Sequence, residues 1–398
     1  MTPRARDVRR REIGGQDPLD RRLGTPPPPS AFTWMLSLLR TRSALGLTPS
    51  LTPAIIFLPL GALLGPHALA VLGPRLLDRL DLAVTLALVI LGVLVGIALG
   101  RELRSSLRIF VAASLESLAT IAAVAVATGY FAVATGVPLG APVVAFVLAL
   151  GLCASASSAT SADPDSEPVA EIATCVADLD DVLPIVIAAV AFSLLPRVLE
   201  GNAWLFALAP VGIGAATGVI GWLVFERAES AAERAVFVLG TLAFAGGAAA
   251  YLGVSPLAAG LVAGLIWTVA PGRADRLVQN DLRKVQHPVV VLLLVAAGAM
   301  TSPSKAAIWL LTPYLLFRLC GKVVGAWLSS RIVDVSAADL AAYLMSPGVL
   351  AVAFALNFKQ VLPAPAGDVL LATVAIGTAL FELFSIAVVP HWRRRAAE

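Results

Sequence analysis

Three carboxylates interrupt an otherwise apolar stretch of the chain. Asp178, Asp180 and Asp181 fall within four residues of the run EIATCVADLDDVLPIVIAAVAF. Carboxylates this close cannot all be ionised cheaply in a low dielectric, so we expect them to gain and lose protons as a coupled set. A carboxylate that releases a proton can take up a metal cation in its place. The cluster therefore predicts a site of proton and cation exchange, and a buried cluster without a transport role is the structural alternative.

Two basic residues occupy a second apolar stretch, AAIWLLTPYLLFRLCGKVVGAWLSS. Arg318 and Lys322 are four residues apart, which places them on one face of a helix. They are the natural counter-charges for buried carboxylates, although an ion pair that only holds the protein together is a real alternative. Glu116 and Glu382 lie in two further apolar stretches, and each is a candidate partner of Arg318.

The composition of the whole chain shows what must position these charges. Of the 398 residues, 58% are apolar and only 14% are charged, and the mean hydropathy is +0.87. Soluble domains carry about a quarter charged residues. A soluble globular protein, a nucleic-acid-binding protein and a disordered protein are therefore excluded. The apolar runs are long and unbroken, which favours helices over an outer-membrane barrel. The sequence predicts an all-α polytopic protein in a lipid bilayer.

The apolar runs predict about twelve transmembrane helices. A crossing needs about 20 helical residues, and the predicted segments are 51–73, 82–99, 107–129, 140–160, 169–195, 203–225, 232–250, 254–271, 286–301, 306–328, 337–358 and 367–390. A basic, Pro-rich tail (1–49) precedes them and a basic end (393–398) follows. Most of the 29 Lys and Arg residues fall on the side of the tail. This bias predicts a multi-pass protein of the plasma (inner) membrane with both termini in the cytoplasm.

Two of the twelve segments are broken. The fourth ends in a polar run, Ser155–Ser161, followed by Asp163-Pro164, and the eleventh contains Ser346-Pro347-Gly348. Proline removes a backbone hydrogen bond, and unsatisfied backbone at membrane depth is tolerated only inside protein or beside a cavity. Segments three to five and ten to twelve are triplets that start from opposite sides, each with a broken middle member. Such an arrangement predicts inverted repeats with two crossed broken helices, as in secondary transporters.

Four sequence motifs together resemble the cation:proton antiporter superfamily, specifically its monovalent cation:proton antiporter-2 branch. They are GALLGPHAL at 61–69, LGVLVGIALGRELR at 91–104, the pair Asp180-Asp181, and Arg-Leu-Cys-Gly-Lys at 318–322. The motifs are spread over most of residues 51–392. The resemblance implies the sodium/proton antiporter fold and exchange of a monovalent cation for protons.

The resemblance also implies roles for individual residues. Asp181 matches the carboxylate that binds cation or proton across the superfamily, and Asp180 matches its neighbour, which is an aspartate in electrogenic members. Lys322 matches the lysine that pairs with that neighbour. Asp163 matches an acidic residue at the crossing of the broken helices. Family members often have threonine just before that Asp-Pro, and Thr160 is the candidate to take its place here.

Several features depart from the family. Asp178 is an additional carboxylate without a family counterpart, and Glu171, two helical turns before it, is a candidate to line an inner funnel or to be an ordinary interfacial residue. The eleventh segment lacks the Arg-Gly-Glu of many branch members. No nucleotide-binding domain follows the last segment, which disfavours a gated potassium-efflux system.

The resemblance implies that the chain has two domains with different functions. A panel, or dimerisation, domain with a linker helix is expected at 50–106 and 203–301, and a mobile ion-transport core at 107–200 and 302–392. We expect a homodimer that exchanges Na⁺ or Li⁺, or else K⁺, for protons by alternating access, electrogenically, in the service of pH homeostasis. We expect no cofactor and no enzymatic activity.

Rival functions have also to be weighed against the sequence. A sodium-coupled symporter of an organic anion would use the same fold, although paired aspartates repel an anion. An intramembrane aspartyl protease needs a Gly-x-Gly-Asp sequence, which does not occur in the chain. A channel would be distinguished by a conductance far above the turnover of a carrier.

Overall fold

A computed structural model describes residues 52–105, 107–135, 143–158, 167–193, 195, 203–272, 274–302 and 304–397. The predicted tail (1–49) and two predicted site residues, Thr160 and Asp163, lie outside these described residues. Every regular element within them is an α-helix.

The described helices follow the twelve predicted segments closely. They are α1 (Thr52–Leu64), α2 (Pro74–Ser105), α3 (Leu107–Thr135), α4 (Val143–Ser155), α5 (Glu167–Leu179), α6 (Val182–Ser193), α7 (Ala203–Phe225), α8 (Ala231–Leu252), α9 (Pro256–Val269), α10 (Ala274–Met300), α11 (Lys305–Val333), α12 (Ala337–Leu344), α13 (Val349–Lys359) and α14 (Ala364–Ala397). The fifth predicted segment is divided into α5 and α6, and the eleventh into α12 and α13.

Helix length and composition agree with a membrane-spanning bundle. Within the described part of the chain, seven helices are long and apolar enough to cross a membrane on their own: α2, α3, α7, α8, α10, α11 and α14. The pair α12–α13 is long and apolar enough for an eighth crossing if it is taken as one span, and it is bent by 54° at its break. Helices α1, α4 and α9 are apolar but shorter. The prediction of an all-α polytopic membrane protein is confirmed.

Glycines allow several helices to touch backbone to backbone. A Cβ atom on Gly92 of α2 would overlap the carbonyl oxygen of Leu257, and one on Gly260 of α9 would overlap that of Val89. Small residues are the usual means by which membrane helices approach closely, since lipid offers no hydrophobic drive for association. The same close packing joins α1 to α10, so α1, α2, α9 and α10 form a tightly packed group.

A second group of helices surrounds the charged residues. Helix α3 lies along α11, where a Cβ atom on Gly321 would stand 2.7 Å from Thr120 Cα. Helices α4 and α12 pack against α11 and α14, α13 packs against α4 and α14, and α5 packs against α3. The two groups meet where α14 contacts α1 and where α13 contacts α10.

The two broken helices meet at their breaks. Helix α4 ends at Ser155 and is followed by non-helical backbone through Ser158, while Ser346 lies between α12 and α13. The backbone N–H of Ser158 donates to the carbonyl of Ser346 at 2.9 Å. Backbone groups freed by the breaks thus satisfy one another inside the protein, as the membrane requires. The predicted crossing of two broken helices is confirmed.

Candidate functional site

The paired aspartates lie at the break between α5 and α6, and proline explains why the break is there. Pro184 follows Asp180 by four residues and has no N–H to donate to the carbonyl of Asp180. Ser117 of α3 donates its hydroxyl to that carbonyl instead. The helix is therefore interrupted at Asp180 and Asp181, and both side chains are buried, at 0% and 2% exposure.

Lys322 is the charged centre of the site. Its Nζ atom lies 2.9 Å from Glu116 Oε1 and 3.4 Å from Asp180 Oδ2, and all three side chains are fully buried. Nζ also donates to the carbonyl of Ser155 and, at 2.9 Å, to the hydroxyl of Ser157. The Ser157 hydroxyl in turn donates to Asp180. A buried ammonium needs such pairing and hydrogen bonding to offset its desolvation, and here the partners come from α3, the end of α4 and the α5–α6 break.

Arg318 binds backbone carbonyls rather than the carboxylates predicted as its partners. Its guanidinium donates to the carbonyls of Met345 and Ala156, each at 2.9 Å, and lies 4.5 Å from the centre of the Phe381 ring. These carbonyls follow the C-terminal ends of α12 and α4, where helices leave acceptors unpaired and carry partial negative charge. Arg318 therefore stabilises the crossed breaks.

The predicted pairing of Arg318 with an acidic side chain is wrong in the described part of the chain. Glu116 contacts Lys322 rather than Arg318, and Glu382 forms no ion pair there with any basic residue. The physical reason is that the carbonyls left unpaired at the ends of α4 and α12 accept hydrogen bonds from the Arg318 guanidinium. Thr120 supports Glu116 with a hydrogen bond of 3.2 Å to Oε1.

The site contains carboxylate oxygens that lack hydrogen-bond partners. One oxygen of each of four buried side chains has no partner among the described residues; these are Glu116 Oε2, Asp178 Oδ2, Asp180 Oδ1 and Asp181 Oδ1. Buried polar atoms are nearly always hydrogen-bonded, so unpaired ones in a native site need an explanation. Oxygen atoms are the ligands that hard cations prefer, and carboxylate oxygens also accept protons. The arrangement can therefore bind either species.

The remaining predicted residues are distributed around this centre. Asp178 is buried in the last turn of α5, close to the aspartate pair, whereas Glu171 is exposed on the same helix. Glu382 is buried on α14. Thr160 and Asp163 lie outside the described residues.

Sequence reasoning missed two residues of the site. Ser117 was not singled out, although it adjoins Glu116 in the sequence and Pro184 indicates that Asp180 needs another donor. Ser157 was noticed only as part of a polar run, and its role as the link between Lys322 and Asp180 depends on contacts over more than 20 residues.

The chain is similar to a known protein in structure rather than in sequence. No protein-family model matches the sequence, and no curated protein matches it. The solved structure of the sodium proton antiporter MjNhaP1 from Methanocaldococcus jannaschii is similar, with a TM-score of 0.58 over 85% of this chain and 90% of that chain, at 18% sequence identity. The chain has the fold of a sodium/proton antiporter. At this identity the likeness shows the fold alone, and that fold confirms the architecture predicted from the resemblance.

Proposed function

We propose that the protein is a secondary transporter that exchanges a monovalent cation for protons across the membrane. The observation that carries this proposal is the buried pair Asp180–Asp181 at a helix break beside Lys322, where one oxygen of each aspartate has no partner among the described residues. Sites of this kind, at interrupted helices inside a membrane bundle, are typical of secondary transporters. The similarity of the fold to a sodium/proton antiporter supports the same function.

The proposed chemistry is competition for carboxylate oxygens. Asp181 binds either a proton or a dehydrated cation, preferably Na⁺ or Li⁺, and the cation displaces the proton. Asp180 is bound to Lys322 while it is ionised and leaves that pair when it takes a proton. The cycle then moves more than one proton per cation and is electrogenic. Because protons and cations compete for the same oxygens, apparent cation affinity falls as the pH is lowered.

The proposed motion is a movement of one helix group against the other. The core contains α3–α6 and α11–α14, and it moves against a panel of α1, α2 and α8–α10, with α7 as the linker. Thr160 and Asp163 would complete the site at the crossing of the broken helices. The protein would act as a homodimer in the inner membrane, with both termini in the cytoplasm, and contribute to pH homeostasis.

Asp178 and Glu171 are proposed to line the path to the predicted cytoplasmic side. Asp178 lies one helical turn before Asp181. Glu171 lies two turns before Asp178, at an exposed position of α5. Near them Cys175 Sγ lies 4.0 Å from Glu102 Oε1 of α2. The carboxylates of α5 and α2 thus extend from the surface of the protein towards the aspartate pair.

The test is proton movement in proteoliposomes that contain a pH-sensitive dye. A proton gradient is imposed, Na⁺, Li⁺ or K⁺ is added, and the wild type is compared with Asp181→Asn. Asp334→Asn is the matched control, because Asp334 is exposed and its left-handed backbone (φ 52°) suits asparagine. We expect a cation to collapse the gradient with the wild type and the control but not with Asp181→Asn. Substrate-driven Na⁺ uptake without proton movement would instead identify a symporter.

A further inference from the structure

The last turn of α13 joins the core to the panel through a buried polar contact. Asn357 of α13 donates its amide N–H to the hydroxyl of Ser255, the residue that precedes α9, at 3.0 Å. Both side chains are fully buried. Because α13 belongs to the core and α9 to the panel, this hydrogen bond crosses the interface along which the two are proposed to move.

Two further contacts cross the same interface nearer the surface of the protein. Lys359 Nζ donates to the carbonyl of Met300, at the end of α10, at 3.4 Å. Gln360 Nε2 donates to Asp81 Oδ1 at 2.8 Å and to Thr85 Oγ1 at 3.1 Å, both on α2. The Lys359 and Gln360 side chains are partly exposed, so water can replace their partners at little cost. The buried contact is the one that water cannot replace while the interface is closed.

These contacts lie at one end of the bundle, where the interface is closed. Helices α2 and α9 begin at this end, and α10 and α13 finish there; the sequence predicts that it is the outer side. A cavity of about 320 Å³ lies between α2, α10 and α13. Val84 and Leu356 line this cavity, yet only 1% of each is exposed. Core and panel are therefore packed closely beneath the cavity.

The buried amide of Asn357 is only half satisfied. Its Nδ2 atom is bound to Ser255, whereas its Oδ1 atom has no hydrogen-bond partner among the described residues. A buried carbonyl without a partner raises the free energy of the closed position, and water would satisfy both halves of the amide if core and panel separated. The bond to Ser255 therefore holds the closed position, and the unpaired oxygen limits how stable that position is.

We infer that the Asn357–Ser255 contact is a conformational switch, which sets the balance between a closed and an open position of this end of the bundle. The inference rests on the proposed function, because it identifies the contact that must break before the aspartate site opens on this side. An interface with an apolar side chain in place of the amide would stay closed, since opening would expose that side chain to water. The polarity of Asn357 makes the closed position reversible.

The test is the labelling rate of a cysteine in the closed interface, measured on the purified protein in detergent with a charged methanethiosulfonate reagent. The native Cys153, Cys175 and Cys320 are replaced by alanine, and Val84→Cys is the reporter. The labelling rate follows the fraction of open protein when opening is fast relative to labelling. The measurement requires no transport, so its result is separate from the success or failure of the exchange proposal.

Ser255→Ala and Ser329→Ala are matched variants. Each removes the hydroxyl of a fully buried serine that bonds to another helix, but Ser329 donates to the carbonyl of Ala112 within the core, at 2.6 Å. Ser255→Ala leaves both polar atoms of the Asn357 amide unpaired in the closed position. Labelling should therefore become about fivefold faster, the factor that corresponds to one net hydrogen bond. Ser329→Ala should leave the rate unchanged, and the helix cap lost in Ser255→Ala is lost in both positions alike.

Asn357→Leu should have the opposite effect. Leucine has the branching of asparagine without its polar atoms, so its burial favours the closed position. Labelling should be several-fold slower than in the wild type, and Asn357→Leu should suppress the effect of Ser255→Ala in the double variant. The same order of variants is expected in deuterium uptake by the end of α13, in protein that keeps its native cysteines. Faster labelling in Asn357→Leu, or equal rates in Ser255→Ala and Ser329→Ala, would overturn the inference.

Discussion

Replacement of Lys322 by methionine tests how strongly the charged centre holds the protein together. Lys322 Nζ lies 2.9 Å from Glu116 Oε1 and 3.4 Å from Asp180 Oδ2, at zero exposure. At an effective dielectric constant of about 20, each attraction is worth about 5 kcal/mol. Desolvation offsets part of this, and removal of one partner from a buried pair typically costs about 3–5 kcal/mol. Methionine has a similar volume, so the loss reports charge and hydrogen bonding rather than a cavity.

Lys284→Met is the matched control for Lys322→Met. Lys284 Nζ also lies 2.9 Å from a carboxylate oxygen, that of Asp281, but 70% of its side chain is exposed. Solvent-exposed pairs contribute about 0–1 kcal/mol. The two variants therefore differ in burial at equal distance. We expect Lys322→Met to lower the free energy of unfolding, measured by SDS titration in mixed micelles with tryptophan fluorescence, several times more than the control does.

A second substitution shows whether the loss comes from unpaired charge. In the Lys322→Met background, Glu116→Gln removes one of the two carboxylates left without a counter-charge, and we expect it to recover part of the lost stability. Equal losses for Lys322→Met and Lys284→Met would refute the reasoning. So would a further loss on adding Glu116→Gln, because the site would then not be governed by its charge balance.

Two further predictions concern backbone contacts. Gly260→Ala should lower the free energy of unfolding by about 1–3 kcal/mol, because its Cβ atom would overlap the backbone of α2. The control is Gly240→Ala, which should be neutral or slightly stabilising because nothing lies within 4 Å of the added Cβ atom. Similar thermal stabilities of the two variants in detergent would contradict the backbone contact. Ser117→Ala leaves the carbonyl of Asp180 without its donor and should cost about 1 kcal/mol. Adding Pro184→Ala supplies an N–H four residues after Asp180 and should restore the loss, and a double variant no more stable than Ser117→Ala would show that the carbonyl needs no partner.

The fold could be predicted from the sequence because each signal is local. Long apolar runs predict spanning helices, and charged residues within such runs predict a site, since both follow from the solvent properties of the bilayer. Pro347 marks the break between α12 and α13 in the same way. The shorter helices α1 and α4 show the limit of this approach, because only packing against neighbours tells how much of an apolar run is helical.

The partners of the charged residues could not be predicted because they are set by distant contacts. Lys322 reaches Ser155 and Asp180 across more than 140 residues of sequence. We expected Arg318 to pair with a carboxylate. Its guanidinium instead donates to the carbonyls of Met345 and Ala156, whose positions depend on two segments that are far apart in the sequence. Spacing along one helix identifies which residues are buried charges and leaves their partners undetermined.

The position of Glu116 bears on how the proposed exchange can work at all. If Asp180 were the sole carboxylate at Lys322, its protonation would leave a buried ammonium without a counter-charge, which is strongly unfavourable. Glu116 removes this difficulty, because its Oε1 atom lies 2.9 Å from Nζ and supplies a second negative charge to the ammonium. Ser155 and Ser157 hold the ammonium in place from the end of α4. In the proposed exchange, Asp180 and Asp181 would then take up protons or a cation beside an ammonium whose charge Glu116 already balances.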